Sequence, residues 1–121
     1  MILVVDDHRE IGRAVVLILK SQRYEAECVT GGQQAIDYLG GARPDLMFLD
    51  CNMPGVGGLE VLRHVRGDAR LVDMPVVMHS AGASLQLRGD LERAGIQGWI
   101  AKDLSSSDEI ANFAQRYGVP T

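Results

Sequence analysis

The chain has 121 residues, 46% of them hydrophobic and 23% charged, which suits one domain able to bury a core without disulfides and gives no sign of disorder or a fibrous repeat. A formal net charge of −4, with no run of Lys or Arg long enough to form a basic stripe, argues against direct binding to nucleic acid. The apolar start, Ile2 to Val5, is interrupted by Asp6 and Asp7; it falls far short of the ~20 residues a membrane span needs and lacks a signal-peptide layout.

In chain order, short apolar runs alternate with segments of helical periodicity, the pattern of a parallel sheet covered by helices on both faces. Ile2 to Val5 is the first candidate strand. Ile11, Val15, Ile18 and Leu19 then recur at helical spacing and give the first helix one apolar stripe. Glu25 to Val29 is the second strand, and Thr30 with Gln33 matches the reciprocal capping pattern that starts the second helix. Leu46 to Leu49 is the third strand, continuously apolar as burial on both faces requires.

Gly55, Gly57 and Gly58 let the chain turn into a third helix, Gly58 to about Arg66, which carries Leu59, Leu62 and Val65 on one side. Val76 to His79 is the fourth strand, and the fourth helix, about Ser84 to Ala94, contains Gly89 near its middle. A central Gly costs ~1 kcal/mol relative to Ala, so this helix is expected to be the least stable. Trp99 to Ala101 is the fifth strand, and Ser106 with Glu109 repeats the capping pattern at the fifth helix. With no repeat or linker, residues 1–121 read as a single domain, ending at Gly118-Val-Pro-Thr121 with no room for an output domain.

In an open parallel sheet, ligands sit beyond the carboxyl ends of the strands. Asp6 and Asp7 follow the first strand and Asp50 the third, so if those strands are neighbours three carboxylates converge on one crevice. At ~4 Å and an effective dielectric of ~20, each ionised pair would repel by about 4 kcal/mol. A hard divalent cation can supply the counter-charge, and magnesium, with manganese as the alternative, suits an oxygen donor set. Lys102 after the fifth strand adds a second positive charge, and Ser80 after the fourth adds a hydroxyl. A nucleophile, metal ligands, a hydroxyl and a cation together are what phosphoryl transfer to a carboxylate needs.

The runs Val4-Val-Asp-Asp7, Asp50-Cys-Asn-Met-Pro-Gly-Val-Gly-Gly-Leu-Glu60, Pro75-Val-Val-Met-His-Ser-Ala81 and Ala94-Gly-Ile-Gln-Gly-Trp-Ile-Ala-Lys102 carry a resemblance to the response-regulator receiver family. It extends over essentially the whole chain. The resemblance implies an α/β fold of the flavodoxin-like type, a doubly wound five-stranded parallel sheet with order 2-1-3-4-5. It implies Asp50 as phosphoacceptor, magnesium held by Asp6, Asp7, Asp50 and the backbone carbonyl of Asn52, Ser80 as switch hydroxyl, Lys102 as partner of the phosphoryl group, and Trp99 as the aromatic switch. The implied donor is a sensor histidine kinase or a histidine phosphotransfer protein. The implied output is a protein bound on the face of the fourth helix, fifth strand and fifth helix. Such a domain is a regulatory phosphoacceptor that promotes its own phosphorylation and dephosphorylation rather than an enzyme acting on other substrates.

One position departs from the family. Asp103 stands where a proline in a cis bond usually follows the lysine. A non-proline cis bond costs ~3 to 4 kcal/mol, so Lys102–Asp103 is expected to be trans, with the Asp103 carboxylate facing solvent. This departure is the one feature favouring the alternative of a degenerate receiver that works by protein contact without phosphorylation. A hydrolase with an aspartyl-phosphate intermediate fits less well, because Asn52 occupies the place where such enzymes put a second aspartate.

Other chemically suggestive residues read as structural. His8, His64 and His79 lack metal-ligand spacing, and His79 should point away from the side of the strand that carries Ser80. Cys28 and Cys51 match neither a metal pair nor a redox dithiol, so reduced, packed thiols and a cytoplasmic setting are expected.

Overall fold

Continuous apolar runs can be satisfied only where both faces of a strand are covered, and the computed structural model, which describes residues 1–103 and 106–118, buries them in that way. Strands β1 (Ile2–Val5), β3 (Leu46–Leu49) and β4 (Val76–Ser80) are buried at every residue. The flanking strands β2 (Ala26–Val29) and β5 (Gly98–Ala101) are only partly covered. All pairings are parallel and the order is β2-β1-β3-β4-β5, the doubly wound arrangement the sequence pointed to.

The helices connecting them are α1 (Arg9–Ser21), α2 (Gly32–Leu39), α3 (Gly58–Gly67), α4 (Leu85–Ala94) and α5 (Ser106–Tyr117). Alternation along the strands divides the core into two layers. Leu3, Val5, Met47, Leu49, Val76 and Met78 face the α2, α3 and α4 side. Ile2, Val4, Leu46, Phe48, Val77 and Ile100 face α1 and α5. Of the apolar stripe expected on α1, Val15 and Leu19 are buried, while Ile11 and Ile18 are half-buried at its margins.

Two helix starts differ from the capping pattern in the sequence. The cap of α2 is Gly31, with no side-chain bond, and Thr30 stands outside it. The amide of Ala35 bonds to the Gly31 carbonyl, so the first turn begins one residue later than the pattern implied. Gly32 also packs so closely on the Val56 carbonyl that a β-carbon there would lie 2.1 Å from it; tertiary fit decides this boundary. Ser106 lies inside α5, and its hydroxyl donates to the Asp103 carbonyl at 3.0 Å instead of accepting at the helix start. By contrast, Ser84 caps α4 as a helix start should be capped, accepting from the Leu87 amide at 3.1 Å.

Among the described residues no peptide bond is cis, so Lys102–Asp103 is trans as its chemistry requires. No described helix is long and apolar enough to cross a membrane.

Candidate functional site

The parallel register places the carboxyl ends of β1 and β3 side by side, with Val5 opposite Leu49. One residue further on, Asp6 and Asp50 leave the sheet together. The Asp6 amide still bonds to Val29 at 3.1 Å and the Asp50 amide to Val5 at 3.0 Å, so both acids are fixed by the ladder itself. They are 1% and 4% exposed. Burial this deep for two carboxylates demands partners.

Lys102, one residue past β5, provides them. Its Nζ donates to Asp50 Oδ2 at 3.0 Å and lies 2.7 Å from Asp6 Oδ2. Its own amide bonds to the Ser80 carbonyl at 3.1 Å, so the β4 ladder aims it. Burial alone would lower the lysine pKa, but the two carboxylates outweigh that effect and raise it above its ordinary value. The ammonium is therefore a fixed charge at any physiological pH.

Asp7 completes the cluster. Ligand atoms of Asp6, Asp7, His8 and Asp50 all lie within 4.8 Å of one another. His8 contributes in two ways: its amide donates to Asp6 Oδ1 at 2.8 Å, and its Nδ1 lies 3.4 Å from Asp7 Oδ1. Three carboxylates against one ammonium leave two negative charges uncompensated in a small volume. Asp6 Oδ2 and Asp7 Oδ1 are buried and receive no hydrogen bond, although the former is in ion-pair contact with Lys102. Hard carboxylate oxygens with a residual charge of that size fit a divalent cation such as magnesium.

The loop after Asp50 is shaped by glycine. A β-carbon on Gly58 would sit 2.4 Å from the Asp50 carbonyl, so only glycine lets α3 begin against the backbone of this residue. Gly55, at φ +74°, takes the left-handed turn that brings the chain there. The Asn52 amide donates weakly to Asp50 Oδ1 at 3.4 Å, and its side chain donates to the Gly82 carbonyl at 2.7 Å.

Of the residues singled out from the sequence, Asp6, Asp7, Asp50 and Lys102 are brought together. Ser80 is buried at the same end of the sheet, but its hydroxyl contacts Cys51 Sγ at 2.8 Å and Gly82 O at 3.3 Å. Trp99 is half-buried against the α4 side of the core, with the Arg88 guanidinium 4.6 Å over its ring. His64 is exposed, and His79 is buried with its Nε2 lacking a hydrogen-bond partner.

The sequence reading missed two members of this neighbourhood. Cys51, which by spacing reads as a packing thiol, touches Ser80, and His8 joins the acidic cluster. Adjacency to Asp50 and to the diacid were the available signals; neither residue type announces a role by itself.

Comparison with known proteins agrees with this geometry. The response regulator receiver domain family matches residues 2–114. The chemotaxis protein CheY4 of Vibrio cholerae is 28% identical with a TM-score of 0.86, over 96% of each chain. The receiver domain of a Syntrophus aciditrophicus signal transduction histidine kinase is 26% identical with a TM-score of 0.87, over 97% of this chain and 88% of that one. A response regulator receiver protein of Pseudomonas putida is 28% identical with a TM-score of 0.82, over 93% of this chain and 94% of the other. The chain belongs to the response regulator receiver domain family of two-component signalling.

Proposed function

We propose that residues 1–121 act as one receiver domain in which Asp50 accepts a phosphoryl group in a magnesium-dependent reaction. The observation that carries this reading is the excess of negative charge at the strand ends: Asp6, Asp7 and Asp50 converge, with Lys102 their fixed cation. Magnesium, or manganese in its place, would be held by Asp6, Asp7, Asp50 and the Asn52 carbonyl, and when bound supplies positive charge to the phosphoryl oxygens.

The chain's own groups do the rest. Asp50, held by its backbone bond to Val5, directs a carboxylate oxygen at phosphorus. The phosphorus–nitrogen bond of a phosphohistidine on a kinase or phosphotransfer protein breaks as the Asp50 oxygen–phosphorus bond forms, and the imidazole leaves. Lys102 turns its ammonium from the carboxylate pair toward the transferred oxygens, neutralising charge where it accumulates. Water later hydrolyses the acyl phosphate, so the domain resets itself without acting on other substrates.

A phosphoryl group adds about −1.5 to −2 charge beside Ser80. Drawing the Ser80 hydroxyl toward it would let Trp99 move inward and reshape the α4, β5 and α5 face, where a downstream protein docks. The net charge of −4 favours protein rather than nucleic acid as that partner, and the reduced thiols suit the cytoplasm.

Incubation with magnesium and acetyl phosphate, followed by intact mass spectrometry, tests the reading. An adduct of ~80 Da is expected in the wild type, absent in Asp50→Asn and after removal of the metal with EDTA. A wild-type protein that stays unmodified, or an Asp50→Asn variant modified to the same extent, would refute it.

A further inference from the structure

We propose that Cys51 is a positioning residue: its thiol holds the Ser80 hydroxyl in the resting orientation and thereby sets how readily the domain switches. The inference rests on the phosphoacceptor reading above and adds a residue to it.

Cys51 follows Asp50 directly and is buried, with its side chain on the side of the sheet that carries Ser80. Its Sγ lies 2.8 Å from Ser80 Oγ and 3.5 Å from Gly82 O. Ser80 Oγ is itself 3.3 Å from Gly82 O, and the Asn52 side chain donates to the same carbonyl at 2.7 Å. The Cys51 thiol and the Asn52 side-chain amide, from the loop after β3, and the Ser80 hydroxyl, at the end of β4, thus all lie within reach of one backbone oxygen.

The energetic consequence follows from burial. Ser80 is 1% exposed, so its hydroxyl depends on protein partners in this conformation. In the structure described, those partners are Cys51 and Gly82, not the Asp50 carboxylate. A phosphoryl group on Asp50 can recruit the hydroxyl only by drawing it away from them. Whatever stabilises the resting orientation alone lowers the apparent affinity for any ligand that requires the other one. Removing the thiol leaves Gly82 as the remaining partner and reduces that competition without abolishing it.

Titration of the full chain with beryllofluoride at saturating magnesium, followed by fluorescence of Trp99, measures the effect. Cys51→Ala is expected to bind about fivefold more tightly, the size of one weak hydrogen bond. Cys51→Ser keeps a hydroxyl partner and should stay within about twofold of wild type. In a Ser80→Ala background, Cys51→Ala should change nothing, because the partner it releases is gone. Cys51→Val, which fills the volume without hydrogen bonding, replaces the alanine variant should that one fold poorly.

Side-chain couplings of Ser80 in the metal-free protein give an independent readout: one χ1 rotamer in wild type, averaging in the alanine or valine variant. Unchanged affinity in those variants, or a gain that persists without Ser80, overturns the inference while leaving the phosphoacceptor reading intact. No response of the wild type to beryllofluoride overturns both.

Discussion

The centre of the sheet and its β5 edge are held very differently. In β1, β3 and β4 every residue is buried, and α3 buries four residues, Gly58, Val61, Leu62 and Val65, against them. At the β5 edge, α4 buries Leu91 alone, Leu85 is 92% exposed, and β5 has one buried residue, Ile100. Asp6 and Asp50 are set by the ladder of the first region, where displacement would break buried hydrogen bonds. Trp99 and Arg88 sit in the second, where little apolar contact resists movement. Rigid strand ends suit a site that must keep like charges in register. A thinly anchored helix can move at little cost in buried contact.

The widest separation between the regions should appear on truncation. Phe48→Ala, on wholly buried β3, is expected to cost about 4 kcal/mol in urea denaturation, whereas Leu85→Ala on α4 should stay within ~0.5 kcal/mol. Similar losses at both positions would erase the contrast.

Lys102 links the two regions, since it extends from the end of β5 to the acids that follow β1 and β3. Lys102→Ala leaves those acids facing each other and should destabilise the metal-free protein by about 3 kcal/mol, with magnesium restoring part of the loss. A variant whose urea midpoint is the same in EDTA and in magnesium would mean that the acids do not share a cation.

A smaller effect is expected at His79 on β4. Burial, reinforced by the nearby Lys102 charge, lowers its pKa below the ordinary 6.5, so the folded protein favours the neutral ring. Its stabilising contribution is therefore complete above pH 6.5 and is lost as the pH falls through the depressed folded value. His79→Leu should flatten the fall of the urea midpoint in that acid range. An acid limb unchanged by the substitution would assign it to other groups.

Much of this was legible in the sequence because it is local. The limits of β1 and β3 follow from unbroken apolar runs, and the positions of Asp6, Asp7, Asp50, Ser80 and Lys102 just beyond or at strand ends follow from the same runs. Capping was less legible. Thr30 and Gln33 satisfy a local pattern, yet α2 starts at Gly32 because its backbone packs on Val56, a contact separated by a whole strand and two loops. The resting partner of Ser80 was not legible at all, since Cys51 lies 29 residues away and looks like any buried thiol.

Periodicity and chain order alone determined the alternation of strands and helices and which side chains leave the sheet at its carboxyl edge, because these depend on neighbours within a few residues. Only the tertiary structure decided that Lys102 contacts both Asp6 and Asp50, that His79 is sealed without a partner, and that Cys51 and Ser80 meet. Those contacts join strands far apart in the chain, and their distances are set by parallel register and core packing, which no local pattern encodes.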